Sequence, residues 1–160
     1  MHGCCLTLVA GEGSALRFDV IPQTLALTTI GDLGAGATIH LEISATPSTL
    51  LGGHLVLGHI DGVAVVREIS VASGEHRVTL EAPIEVAEAM VAQGSVTLDG
   101  VSLTIATVHG GASAAALFDV CLIPETLART TLSRWRVGSR VNLEADYLAK
   151  LVAACVKRAR

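Results

Sequence analysis

Polar and apolar positions alternate with period two over much of the chain, most regularly from Ser95 to Val108. There, two β-rich runs flank Asp99-Gly100, a pair that supplies the positive φ needed at both central residues of a tight hairpin turn. The same alternation predicts strands at 4–9, 16–21 and 38–44. It also predicts a hairpin of 55–59 with 63–66 around Asp61-Gly62, strands on either side of the polar turn Ser73-Gly74-Glu75, and strands near 114–122 and 140–144. Pro22 and Pro124 each open a short helical turn, since proline suits the first helical position. Residues 83–92 predict a helix, with Pro83 at its first turn and Gly94 past its end. After Asp146, an N-cap residue, Leu148, Leu151, Val152, Cys155 and Val156 fall on one helical face.

The pattern occurs twice. Gly3-Cys4-Cys5-Leu6-Thr7-Leu8 matches Gly100-Val101-Ser102-Leu103-Thr104-Ile105, and Phe18-Asp19-Val20 answers Phe118-Asp119-Val120. Ile21-Pro22-Gln23-Thr24-Leu25 answers Ile123-Pro124-Glu125-Thr126-Leu127, Thr28-Thr29 answers Thr130-Thr131, and Leu41-Glu42 answers Leu143-Glu144. The offset grows from 97 at the glycines to 102 at the glutamates, so the chain holds two related lobes and not a short-period solenoid. Short strands with tight connections point to small antiparallel barrels. The glycines between Gly31 and Gly36 open no helix, which argues against a phosphate-cradling loop.

Composition adds three things. With 51% hydrophobic, 16% charged and 2% aromatic residues, a core is easily built, but aliphatic side chains must fill it. A mean hydropathy of +0.58 without an apolar run of membrane-spanning length points to apolar surface buried between subunits. The net charge of −4 and the thinly spread cations provide no phosphate-tracking stripe, which argues against nucleic-acid binding. Four cysteines without a paired spacing, and no basic, apolar leader, suggest reduced thiols in a cytoplasm. The basic end, Lys157-Arg158-Ala159-Arg160, suits a helix C-terminus.

Several motifs carry a resemblance. Gly-Cys-Cys-Leu-Thr at 3–7, Gly-Gly-His-Leu-Val-Leu-Gly-His-Ile-Asp-Gly at 52–62, Asp-Gly-Val-Ser-Leu-Thr at 99–104, Leu-Ile-Pro-Glu-Thr-Leu-Ala-Arg-Thr-Thr-Leu at 122–132 and Val-Gly-Ser-Arg-Val-Asn-Leu-Glu-Ala-Asp at 137–146 resemble riboflavin synthase, alpha-chain type. The resemblance implies an all-β fold of tandem antiparallel Greek-key β-barrels with a C-terminal helix that assembles a homotrimer. It further implies dismutation of two 6,7-dimethyl-8-ribityllumazine molecules to riboflavin and 5-amino-6-(D-ribitylamino)uracil, with no cofactor or metal and with lumazine synthase as a candidate partner. Two homologous pockets holding two copies of one substrate face to face would exploit proximity. In that family the pockets come from different lobes of neighbouring subunits.

The resemblance also assigns residues. Cys5 falls at the reactive cysteine of the first lobe and Ser102 at the same place in the second. A thiol can add to an electrophilic ring carbon, which a serine does poorly without a base. Thr7 and Thr104 follow at two residues, on the strand faces of Cys5 and Ser102. His59 matches the site histidine, an acid or base for the acidic ring methyl, with Gly58 and Ile60 beside it. Asp19, Val20, Ile21, Pro22, Gln23 and Thr24, and in the second lobe Cys121, Leu122, Ile123, Pro124, Glu125 and Thr126, match the loops that hydrogen-bond the pterin edge; Leu6 and Leu103 accompany them. Gln93 stands where the family commonly has lysine. Asp146 matches a carboxylate near the site, and is equally a helix cap.

His54 reads as structural, a metal pair with His59 lacking a third ligand; Cys4 and Cys155 read as buried apolar residues. In the second lobe 48 positions separate Gly52 from Gly100, whereas two precede Gly3, so the repeat predicts that about 46 residues of the first lobe are absent. The expected organisation is an incomplete first lumazine-binding barrel at 1–50, a second at 51–145 and an oligomerisation helix at 146–160. The rival reading is a non-catalytic lumazine or flavin carrier of the same fold. Retention of Cys5, His59, Ser102 and Thr104 together favours the enzyme.

Overall fold

A computed structural model describes residues 1–109 and 115–159. In the second lobe, β3 (Gly62–Ala72), β4 (Glu75–Pro83), β5 (Ser95–Leu98), β6 (Val101–His109), β7 (Ala115–Leu122) and β8 (Arg140–Ala145) close into an antiparallel barrel in the order β3-β4-β7-β6-β5-β8. Strand β4 lies beside β7, the far end of the β5-β6-β7 meander, which is a Greek key. Closure leaves this lobe no exposed edge. Aliphatic side chains fill the interior, with Val66, Val78, Leu80, Val96, Leu98, Ile105, Val120, Val141 and Leu143 fully buried around Phe118.

Local chemistry sets the turns. Asp99 and Gly100 have φ of 49° and 87°, the double positive φ of a type I′ turn, and Ser73-Gly74 repeats it at 52° and 83° between β3 and β4. The first lobe begins with the same geometry at His2-Gly3, φ 48° and 83°. Beyond that turn, the first lobe has one two-stranded sheet, β1 (Leu8–Glu12) with β2 (Ala15–Phe18), then α1 (Pro22–Leu27) and a 3-10 turn. In the second lobe α3 (Pro124–Arg129) and another 3-10 turn repeat that sequence. The chain ends in α4 (Tyr147–Arg158), which Asp146 caps by accepting from Leu148 N at 2.8 Å.

Several expectations change, among them the strand expected at 16–21, which ends at Phe18. Residues 4–7 and 38–44 are not strands, and 55–61 crosses to the first lobe instead of pairing as a hairpin strand. The helix expected over 83–92 shortens to α2 (Ile84–Ala87), since the chain turns from Glu88 and Gly94 N donates to Val91 O. Cys155 is exposed, whereas Cys4 is buried as expected. The strand expected near 114–122 begins, among the described residues, at Ala115; Ala114 lies outside them, as does Arg160 at the end of the basic tail. No helix of the described chain is long and apolar enough to cross a membrane.

The lobes meet through reciprocal contacts between repeat-related residues. Gly3 packs on Gly100 so closely that a Cβ on Gly3 would lie 2.8 Å from Gly100 N. Asn142 takes Thr29 N–H on Oδ1 at 2.7 Å and donates from Nδ2 to His2 O at 2.9 Å. His40, its counterpart at offset 102, takes Thr131 N–H on Nε2 at 2.8 Å, which leaves Nδ1–H to donate to Asp99 O at 2.8 Å. Each lobe thus satisfies the other's backbone through one side chain.

Two buried titratable groups sit in this junction with opposite consequences. Burial pushes Asp99 up to about 7, although Asn142 N–H and Trp135 Nε1–H bond its carboxylate. Burial, with His40 and the N-terminal amine nearby, lowers His2 to about 4. The folded chain holds a proton on Asp99 that the unfolded chain releases near its ordinary value of 3.8, so Asp99 lowers stability as pH rises from about 4 to 7. The folded chain refuses His2 a proton that the unfolded chain takes below 6.5, so His2 raises stability from about 4 to 6.5. The slopes oppose. In His2→Asn the His2 slope is lost while the Asp99 slope remains, and asparagine tolerates the positive φ. The urea midpoint of the variant, relative to the unsubstituted protein, should therefore fall as pH rises from 4 to 6.5; a constant difference would contradict this account.

Candidate active site

The first-lobe site is a cavity of about 200 Å³ between α1 and the crossing segment. Cys4, Cys5, Ile21, Gln23, Thr24, Leu27, Thr28, Gly58, His59 and Ile60 line it. Pro22 starts α1 at its first turn and so turns Gln23, Thr24 and Leu27 toward the cavity. Cys5 is held by its backbone, whose N–H donates to Gly58 O at 2.8 Å, leaving the exposed thiol free to react. Gly58 has φ +76°, and a Cβ there would stand 2.6 Å from Cys5 N, so glycine is required twice over. Cys4 differs from its neighbour: burial pushes its thiol up, an effect that the nearby Thr28 offsets only in part. The arrangement sets a thiol and an imidazole on one small, half-apolar cavity, suited to proton movement and nucleophilic addition on a flat heterocycle.

The second-lobe residues are arranged differently. Ser102 and Thr104 share the exposed outer face of β6, while Leu103 and Ile105 alternate inward. Ser102 Oγ lies 2.8 Å from His54 Nδ1, and Thr97 Oγ1 lies 3.1 Å from His54 Nε2. Burial lowers His54, which favours the neutral imidazole as partner of these hydroxyls. Ser102 also lines a cavity of about 330 Å³ that extends to Cys5 and Leu6, so the two repeat-related positions open on one space.

Several assigned residues stand away from these cavities. Thr7 is exposed and, without a strand at 4–7, does not join Cys5 in its cavity. Asp19 is exposed and Val20 half-buried, short of α1. Leu122 is a core side chain, 4% exposed, and Cys121 donates its thiol to Glu75 Oε1. Ile123, Pro124 and Glu125 are exposed; Glu125 pairs with Arg129, and Thr126 O accepts from Thr130 Oγ1. Gln93, with φ 64°, donates its N–H to Ile105 O. Asp146 serves as the helix cap. Sequence reading passed over Thr28 and Leu27, although the Thr28-Thr29 echo marked the place, and it passed over the bond from His54 to Ser102, which no local pattern announces.

The model of the lumazine binding domain matches residues 1–44 and again 57–146, two copies that together span most of the chain. The chain belongs to the lumazine binding domain family. Among curated family members, it is 39% identical over 158 residues to a protein named riboflavin synthase from Chlamydia pneumoniae, covering 99% of this chain and 74% of that one. It is 39% identical over 165 residues to that of Mycobacterium tuberculosis strain H37Rv, covering 99% and 79%. It is 35% identical over 158 residues to that of Escherichia coli K12, covering 98% and 72%. The chain thus spans about three quarters of these relatives. Among solved structures of the fold, it resembles LumP complexed with riboflavin at a TM-score of 0.72 and 28% identity, covering 90% of this chain and 75% of that one. LumP complexed with 6,7-dimethyl-8-(1'-D-ribityl) lumazine gives 0.70 at 28%, covering 90% and 74%.

Proposed function

We propose that this lumazine-binding chain is a riboflavin synthase, which moves a four-carbon unit between two 6,7-dimethyl-8-ribityllumazine molecules and releases riboflavin and 5-amino-6-(D-ribitylamino)uracil. The observation that carries this reading is the meeting of Cys5 and His59, 54 positions apart, on one cavity between the lobes. In this reading Gln23 and Thr24 orient the ring edge, His59 takes a proton from the ring methyl, and the Cys5 thiol adds to or protonates the ring system. Ser102 and Thr104 serve the second molecule, with His54 as the base that Ser102 otherwise lacks. The two products contain all the atoms of the two substrates, so the reaction needs no external oxidant or cofactor. Riboflavin formation from the purified lumazine is the test, and its absence would leave the carrier reading, which the riboflavin and lumazine complexes of LumP also fit.

The reading includes a homotrimer in which one subunit's first-lobe site faces another's second-lobe site, in a cytoplasmic protein that works alongside lumazine synthase. It divides the chain into lobes at 1–50 and 51–145 and a helix at 146–160. Supporting the trimer, α4 presents Leu148, Leu151, Val152 and Val156 to solvent at 45–63% exposure, an apolar stripe left uncovered by the described residues. Truncation after Asp146 should lower the mass seen by light scattering, and an unchanged mass would contradict the role of this helix.

A further inference from the structure

Glu144 on β8 is 1% exposed, yet both of its carboxylate oxygens bond outside the barrel. Oε1 accepts Leu57 N–H at 2.9 Å and Oε2 accepts Gly58 N–H at 3.0 Å. Two successive N–H groups converging on one anion form a nest, and the positive φ of Gly58 suits that geometry. The same peptide then reaches the site in two directions. Gly58 O accepts Cys5 N–H, and the next residue is His59. Asp61 secures the other end, its carboxylate accepting Ala145 N–H at 2.9 Å and Lys150 Nζ at 2.9 Å.

We infer that Glu144 is a positioning residue for Cys5 and His59, acting through the Leu57-Gly58 peptide that its carboxylate clamps. A second-lobe strand thereby sets the geometry of the first-lobe site. The inference rests on the proposed reaction for its turnover measurement only.

Glu144→Gln tests it, because a carboxamide offers one acceptor oxygen and turns an NH2 group toward the other N–H. Amide hydrogen exchange at Leu57 and Gly58 should quicken at least about tenfold as their bonds are lost, while Val66, Val78 and Val120 keep their rates. With the clamp gone, kcat should fall by about 100-fold, the usual cost of a misplacement near 1 Å. KM should stay within about threefold, since Gln23 and Thr24 still bind the ring. Unchanged kcat together with quickened exchange at 57 and 58 would overturn the inference, as would lost kcat with exchange quickened throughout the barrel. Should Glu144→Gln fail to fold, Leu57→Pro removes one donor from the segment's side, and the same expectations then apply to exchange at Gly58 and to kcat. A starting protein that forms no riboflavin overturns the proposed function and not this inference. The alkylation rate of Cys5 by iodoacetamide, read by peptide mass, then decides, and it must change at least about tenfold in Glu144→Gln.

Discussion

Cys5→Ala is expected to abolish riboflavin formation while the protein still binds the lumazine. Loss of a nucleophile or proton carrier costs on the order of 10²–10⁴ in rate. The substitution should leave the site otherwise intact. Cys5 is exposed and contributes nothing to the buried core, and the bond that fixes its place runs from its backbone N–H to Gly58 O, which alanine keeps. Thr24, Gln23 and His59 remain on the cavity wall to hold the ring. The two measurements are stopped turnover and the change in lumazine fluorescence on titration. Turnover at the level of the unsubstituted protein would remove Cys5 from the chemistry, and lost binding with lost turnover would make its role one of shape.

Asn142→Ala should have the largest effect on stability. The side chain is fully buried and joins the lobes by accepting Thr29 N–H and donating to His2 O. Alanine leaves both backbone groups buried without partners, at about 1–3 kcal/mol each, or roughly 2–6 kcal/mol together. The matching His40 is half-buried, so His40→Ala should cost less, water replacing part of what is lost. Because Thr28 next to Thr29 lines the Cys5 cavity, separation of the lobes should weaken ligand binding as well as lower the melting temperature. A melting temperature within about 2 °C of the unsubstituted protein would show that the lobes are held elsewhere.

Much of the second lobe was legible because its signals are local. Asp99-Gly100 and Ser73-Gly74 announce their turns through the positive φ they tolerate, and Pro22 and Pro124 announce the turns they open. The repeat likewise placed Cys5 opposite Ser102 and Glu42 opposite Glu144 from residue identity alone. The site was legible only in part. Cys5, Ile21, Gln23, Thr24, Gly58, His59 and Ile60 do gather on one cavity, but Ser102 and Thr104 lie on an outer barrel face with His54, a histidine whose sequence context gave no sign of the serine 48 positions away.

What the sequence determined by itself, then, was the duplicated plan, from residue identity, together with the hairpins at Ser73-Gly74 and Asp99-Gly100, the proline-opened turns and the last helix, which depend on backbone preferences within a few residues. What only the tertiary structure decided was where the alternating stretches found hydrogen-bond partners. Residues 4–7, 38–44 and 55–61 alternate as strands do, yet alternation specifies a face and not a ladder. Cys5 N–H bonds the crossing peptide at Gly58, His40 bonds across the lobe junction, and Leu57 and Gly58 spend their N–H groups on a carboxylate from β8. Those bonds join residues 53 to 91 positions apart, and the same non-local pairing that denied these stretches a ladder brought a thiol and an imidazole to one cavity.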